Sequence, residues 1–263
     1  VSCVTAPIGA WQRDWIRRHA GAADASVTVR YVQTASVFGD LRVPADRLGA
    51  ERATSFTELT DEQLAALARQ DGFAGVTTVD GTSATWHHEI DFRPTSDEVD
   101  VGRVEPTGPG HMFEHALDGS YVESWTRLDA GAGGSLAVRV ERAGRVDQIL
   151  AITGGHFVYA RARPIGLPRG DSLAELIART TPSRDTIIRY LDCEVSYGIT
   201  AAWRIERSTL PWREGQRLAF ADQLTLDADG SPAARAAAPG ERWSFPVVGV
   251  PPDQLRGLFA GAR

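Results

Sequence analysis

From Ser26 onward, apolar and polar positions alternate with a period of two. Val27, Val29, Tyr31 and Gln33 fall on one face of a strand, and Thr28, Arg30, Val32 and Thr34 on the other. The pattern resumes over residues 37–43, where Phe38, Asp40 and Arg42 alternate with Val37, Gly39 and Leu41. Pro44 ends that strand, because proline has no N–H for the ladder. Two Asp-Gly dipeptides, Asp80-Gly81 and Asp118-Gly119, favour the positive φ angles of tight hairpin turns. They predict one hairpin from residues 73–79 and 82–92, and a second from 111–117 and 120–128. Residues 99–105, 136–140, 148–153, 156–163, 186–195, 199–207, 217–225 and 243–248 have strand character as well.

Helical signals are brief. Thr60-Asp-Glu-Gln63 is a capping box ahead of the apolar stripe Leu64, Leu67 and Ala68. Ser172 opens a second short helix that ends before Pro182, and a third falls near residues 253–259. Residues 1–24 are open between the two periods, since Trp11, Trp15 and Ile16 suit a helix or the start of a strand. No fixed-period repeat and no long linker interrupts the chain. The expectation is an all-β fold over residues 1–263: a single elaborated domain, a closed antiparallel lipocalin-like barrel of about ten strands with two or three short helices.

Composition narrows the function. The formal charge is −6, which argues against a nucleic-acid or anionic-membrane partner. All 28 basic residues are arginine, so a lysine Schiff base is excluded. Cys3 and Cys193 form no Cys-x-x-Cys motif, and no disulfide is expected between them. No apolar run approaches the roughly 20 residues of a membrane span, and no signal-peptide core precedes the first strand. The chain therefore reads as reduced, soluble and cytoplasmic, and a start at Val1 leaves open whether the N-terminus is trimmed.

Chemistry concentrates between Asp80 and Arg127. If Asp118-Gly119 is a two-residue turn, Glu114 pairs with Glu123, Met112 with Trp125, and His115 with Val122. Met112, Glu114, Tyr121, Glu123 and Trp125 then share a face suited to a barrel interior, and the two carboxyls stand roughly 5 Å apart at Cβ. Like charges that close raise one pKa, leaving an acid beside a base; the plainer alternative is a solvated pair or one neutralised by Arg42 or Arg127. In the first hairpin, Trp86, His88 and Ile90 share the more apolar face, and Gly75 is expected opposite Trp86 and Phe73 opposite His88. His88 is thus the candidate proton relay, or else a satisfied core histidine. Asp40 and Arg42 make either an internal ion pair or a carboxylate clamp. Gln33, Tyr159 and Trp203 are further candidate liners. His111-Met-Phe-Glu-His115 matches the letters of inverted zincins, but that motif needs a helix, and a strand sends Glu114 away from both histidines. Gly131–Gly134 lacks the strand-to-helix setting of a phosphate loop and reads as a turn.

The strings Tyr31-Val-Gln-Thr…Phe38-Gly-Asp-Leu-Arg42, Gly72-Phe-Ala-Gly75…Thr85-Trp86…Ile90-Asp91 and Glu114…Tyr121-Val-Glu-Ser-Trp125 resemble an uncharacterised bacterial family of lipocalin-like (calycin-type) β-barrel proteins. That family is similar to a fungal casein-kinase-interacting barrel protein. The resemblance implies a calycin-like barrel with a central cavity and no assigned chemistry. The family pattern has an arginine near position 87 or 88 and no histidines at 111 and 115, so His87, His88, His111 and His115 are departures that favour a specialised activity here.

Three functions follow as expectations. The first is a cofactor-independent isomerase, cyclase or lyase acting on a small hydrophobic molecule. In it Glu114, Glu123 and His88 are catalytic, and Tyr121, Trp125, Trp86, Met112, Arg42, Asp40 and Gln33 bind substrate. The second is a non-catalytic binder of a lipophilic ligand or haem, and the third a metal-dependent enzyme built on His88 and the glutamates. The first requires no metal and is compatible with a monomer or homodimer.

Overall fold

The computed structural model describes residues 6–19, 21–47, 53–129 and 134–260. Cys3 and most of the Gly131–Gly134 stretch lie outside them. Eight antiparallel strands close a barrel in sequence order: β1 (Gly9–Arg18), β2 (Val27–Gln33), β3 (Phe38–Pro44), β4 (Asp71–Asp80), β5 (Ser83–Asp91), β6 (Asp100–Gly108), β7 (His111–Ala116) and β8 (Tyr121–Arg127). Closure comes from β1, which pairs with β2 along one edge and with β8 along the other. The stretch left open by periodicity is therefore a strand, with a bulge between Arg13 and Trp15 that blurs its alternation.

The remaining strands do not enlarge the barrel. β9 (Ser135–Arg142), β10 (Arg145–Thr153), β11 (His156–Arg161), β12 (Glu194–Ile199) and β13 (Arg204–Ser208) form a second antiparallel sheet, to which β16 (Glu241–Ser244) and β17 (Val247–Val248) add by pairing with β9. A two-stranded ribbon, β14 (Leu224–Leu226) with β15 (Pro232–Ala234), stands apart. The ten-strand single barrel is thus corrected to a closed eight-strand barrel beside a separate sheet. The reason lies in burial on two faces. Ala137, Ile149, Ala151, Val158 and Ala160 turn towards Leu41, Val43, Ala74, Ile90 and Phe92 of the barrel wall and its margin. Their neighbours Leu136, Val138, Val140, Leu150, Ile152 and Phe157 form another core under Trp203, Phe220 and α4 (Pro252–Ala260). A strand covered on both sides reads as a continuous apolar run and gives no sign of which sheet it joins.

Local corrections have local causes. Residues 186–195, expected as a strand, begin with α3 (Arg184–Leu191); Ser183 caps it by accepting from the Thr186 N–H, and β12 starts only at Glu194. Residues 199–207 break at a turn where Trp203 takes φ 49°. Residues 217–225 are mostly a 3-10 turn, Ala219–Gln223, ahead of short β14. Pro246 splits 243–248 into β16 and β17. The capping box at Thr60 forms as read, with both hydrogen bonds present, and opens α1 (Asp61–Leu67); α2 (Leu173–Thr180) starts at Ser172. No helix among the described residues is long and apolar enough to cross a membrane.

Candidate functional site

The second hairpin fixes the site. Its register pairs Glu114 with Glu123, Met112 with Trp125 and His115 with Val122, as the Asp118-Gly119 turn predicts. Met112, Glu114, Glu123 and Trp125 are buried inside the barrel. Gly102 on β6 faces Ala116, and a Cβ there would stand 3.1 Å from Glu114 Cγ and 3.2 Å from its Oε1. The missing side chain is what gives Glu114 its room.

The first hairpin departs from expectation twice. Asp80 pairs with Ser83, so the turn falls on Gly81-Thr82, and Trp86 faces Thr77 rather than Gly75. Further along, Gly75 pairs with His88 and Ala74 with Ile90, leaving Glu89 as the extra residue of a bulge. Gly75 is needed there, because a Cβ would meet the His87 carbonyl oxygen at 1.9 Å. The bulge reverses the alternation. Ile90 turns outward to the core shared with the second sheet, while Asp91 turns inward beside His88.

A cavity of about 20 Å³ lies in the barrel, lined by Tyr31, Asp40, Arg42, Phe73, Trp86, Asp100, Met112, Glu114 and Trp125. Around it the polar groups fall into three sets. Trp86 Nε1 donates to Tyr31 Oη at 3.0 Å, Tyr31 donates to Gln33 Oε1, and Thr77 donates to the same oxygen at 2.8 Å. The Gln33 amide in turn donates to the Thr34 carbonyl at 2.7 Å. This chain stiffens one wall and leaves Gln33 no hydrogen-bonding capacity for a ligand. The second set runs towards the end of the barrel where β3 and β5 finish. Arg42 grips Asp40 at 3.0 and 3.3 Å, and Arg42 and Arg93 both stack on Phe73. Arg93 Nε lies 3.4 Å from Asp71. His88 stacks on the Phe73 ring at 4.0 Å, with Nδ1 2.6 Å from Asp91 and Nε2 3.0 Å from Asp100.

The third set is the glutamate pair. Arg13 Nη1 holds Glu123 Oε1 at 2.5 Å, and Tyr121 donates to Glu114 Oε1 at 2.9 Å. Glu123 Oε2 and Trp125 Nε1 are buried without a partner, on residues that are each 2% exposed. One is an acceptor and the other a donor, so each has hydrogen-bonding capacity left for a polar group brought into the barrel.

The protonation pattern follows from counting charges. Six carboxyls (Asp40, Asp71, Asp91, Asp100, Glu114, Glu123) share this interior and its mouth with four cations, Arg13, Arg42, Arg93 and His88. Two carboxyls are in excess, and those two are pushed upward. Burial, then the charges of Glu123 and Asp100, raise Glu114 well above the usual carboxylate range against the pull of Arg42. Burial raises Asp71 to about 6 despite Arg93 and Arg42. Asp100 goes the other way: burial would raise it, but the hydrogen bond from His88 and the nearby cations hold it low. Burial alone would lower His88, yet its bonds to Asp100 and Asp91 outweigh that and raise it to about 9. At neutral pH the interior therefore holds an imidazolium and a neutral Glu114 opposite the Glu123–Arg13 pair.

Of the sequence candidates, Glu114, Trp86, Trp125, Met112, Asp40 and Arg42 line the cavity, and Glu123, Tyr121 and His88 bond around it. His88 is placed as a locked cation with both nitrogens occupied. Among the described residues no group of three or more His, Cys, Asp or Glu side chains is arranged to hold a metal ion. Tyr159 and Trp203 belong to the core of the second sheet, their polar atoms bonded to Gln148 at 2.6 Å and to the Leu258 carbonyl at 3.2 Å. The His-x-x-Glu-His letters are split as expected: Glu114 points in, while His111 bonds Thr107 and Ser124 and His115 stands 3.1 Å from Glu105 on the outer face. Arg13, Tyr31, Phe73, Asp71, Asp91 and Asp100 were not among the candidates. Only Tyr31 carried a legible signal, its shared face with Gln33.

No family model matches the chain, and no curated protein matches it significantly. Among solved structures it is similar to the uncharacterized Saccharomyces cerevisiae protein YLR301w, with a TM-score of 0.53 at 10% identity over 90% of this chain and 96% of that one. At that identity the likeness speaks for the fold, and the barrel is the part of the sequence resemblance it supports.

Proposed function

We propose that the barrel interior is a cofactor-independent acid/base site that moves a proton on a small molecule, in an isomerase, cyclase or lyase reaction. The observation that carries this is the Glu114–Glu123 pair: a carboxyl held neutral directly across the ladder from a carboxylate with one oxygen unpartnered. Glu114 is the acid, oriented by Tyr121. Glu123 is the base, oriented by Arg13, and its free Oε2 is the proton acceptor. Trp86, Trp125, Met112 and Tyr31 form the walls. A cavity of about 20 Å³ holds one water at most as it stands. The substrate is consequently compact, and it enters by displacing the partly exposed Arg42, Arg93 and Tyr121 at the mouth. An eight-strand closed barrel is also the strand number of lipocalins, which supports the lipocalin-like reading and an occupant inside. The resemblance to a casein-kinase-interacting protein adds no residue to this site.

Native mass spectrometry of protein recovered without denaturation identifies the occupant. The test is then solvent-deuterium incorporation into that molecule. Wild type is expected to catalyse it, and Glu114→Gln and Glu123→Gln to lose it at least about a hundredfold while keeping the ligand. Variants that exchange as fast as wild type sink the proposal. Retained ligand with no exchange in any form, wild type included, establishes a carrier instead.

A further inference from the structure

A cavity larger than the one in the barrel lies outside it. A cleft of about 190 Å³ opens between β5 and the margin of the second sheet, lined by Glu89, Ile90, Asp91, Arg145, Val146, Ala162, Arg163, Ile165, Gly166, Leu167 and Cys193. Arg163 decides what it can hold. The residue is only 8% exposed, its Nη2 donates to the Phe92 carbonyl at 2.6 Å, and its Nε is buried with no partner. No carboxylate pairs with it among the described residues. Buried arginines are ordinarily paired, as Arg13 is with Glu123.

The acidic groups nearby are committed elsewhere. Both Glu89 oxygens accept from Arg139, at 3.0 and 2.6 Å, and Asp91 is taken by His88 and by the Arg93 N–H. The Cys193 thiol supplies no charge either, since burial raises it above its ordinary range against the pull of Arg163. Arg145 at the rim is exposed and adds a second cation. The rest of the wall is apolar: Ile90, Val146, Ala162, Ile165 and Leu167.

We propose that this cleft is a binding site for a small carboxylate with a short apolar tail, its oxygens on Arg163 and its tail along Ile90, Val146 and Leu167. The guanidinium fork matches a carboxylate edge, and the apolar wall selects against a bare ion. This site rests on observations separate from those behind the barrel chemistry, and either can stand without the other.

Titration calorimetry with hexanoate, hexanamide and inorganic phosphate tests it on the full chain. Hexanoate is expected to bind one to one, with hexanamide and phosphate at least about tenfold weaker. Arg163→Gln should weaken hexanoate about tenfold or more, and Arg145→Glu, at an exposed position that leaves folding alone, several-fold. If Arg163→Gln fails to fold, Arg145→Glu and the acid-to-amide ratio still decide. No hexanoate binding, equal binding of acid and amide, phosphate as tight as hexanoate, or a folded Arg163→Gln with unchanged affinity would each overturn the proposal.

Discussion

Two of the molecule's interiors are built on opposite plans. Behind the second sheet, Leu136, Val138, Val140, Leu150, Ile152 and Phe157 meet Trp203, Phe220, Leu255 and Phe259, and the polar atoms of Tyr159 and Trp203 are bonded. Inside the barrel, Trp86, Trp125, Phe38 and Phe73 share the space with Arg13, Asp40, Glu114 and Glu123. A barrel of eight strands can be filled by apolar side chains alone. The charges in this one are therefore not required for closure, and they make its stability depend on partners and pH where the other interior depends on volume. Apolar packing tolerates loss of a contact in proportion to what is removed. A buried ion pair behaves differently, because removing one member strands the other.

The strongest contrast is expected from Arg13. Arg13→Met leaves Glu123 buried without its cation and should cost about 3–5 kcal/mol in urea unfolding, with Arg13→Met/Glu123→Leu recovering most of it. Phe157→Ala in the other interior should cost a similar ~3–5 kcal/mol, with no second polar-to-apolar change able to restore it. A loss below about 1 kcal/mol for Arg13→Met would make the barrel interior as forgiving as a surface.

Next in size is the pH response of His88. Its folded pKa of about 9 lies above the ordinary 6.5, so its contribution is fully present below pH 6.5 and is lost as pH rises through about 9. At about 1.36 kcal/mol per unit, that is on the order of 3 kcal/mol between pH 6.5 and 9. Urea midpoints across this window should fall in wild type and in Phe157→Ala, and fall less steeply in His88→Gln, where only the Glu114 titration remains. A slope unchanged by His88→Gln would assign the titration to another group.

These two interiors were unequally legible in the sequence. The Glu114–Glu123 pairing needed only a turn and a count of two, because the Asp118-Gly119 hairpin is regular. Asp91 was hidden by the bulge at Glu89, which changes the parity of every residue after it and has no sequence mark except Gly75 on the partner strand. Arg13 was hidden by another bulge in β1. Asp100 and Asp71 begin their strands and become site residues only because the barrel closes around His88 and Arg42. The strands of the second sheet look like more barrel in the sequence, since strands buried on both faces carry no period to say which neighbour they choose. Thr186, Ile187 and Ile188 are β-branched and give the α3 segment strand character, whereas Ser183 and the spacing to Leu191 favour the helix that forms.

Gly102→Ala is a smaller perturbation of the same contrast. The new Cβ would sit 3.1 Å from Glu114 Cγ, tighter than a relaxed contact. Overpacking of this kind costs typically ~1–3 kcal/mol, and here the side chain displaced is the acid itself. The infrared carboxyl band of Glu114 should shift along with stability, whereas an alanine at exposed Gly144, next to β9 and β10, should leave that band alone.

The least effect on stability, and the sharpest test of the barrel plan, is expected from Glu114→Gln. A glutamine amide copies the neutral acid, keeps a carbonyl oxygen for the Tyr121 hydroxyl and leaves Arg13–Glu123 intact. At pH 4.5 the variant should unfold within about 0.5 kcal/mol of wild type. As pH rises, wild type loses ground, because the unfolded chain ionises Glu114 near its ordinary 4.5 while the folded chain keeps it protonated. Glutamine has no such titration, so the difference should turn in the variant's favour by pH 7.5. Glu123→Gln cannot behave this way, since it removes the carboxylate that Arg13 requires and should destabilise at both pH values. Two residues facing each other across one ladder, changed in the same way, are thus expected to move stability in opposite directions at neutral pH. If Glu114→Gln were instead the more damaging of the two, the assignment of acid and base within the pair would have to be exchanged.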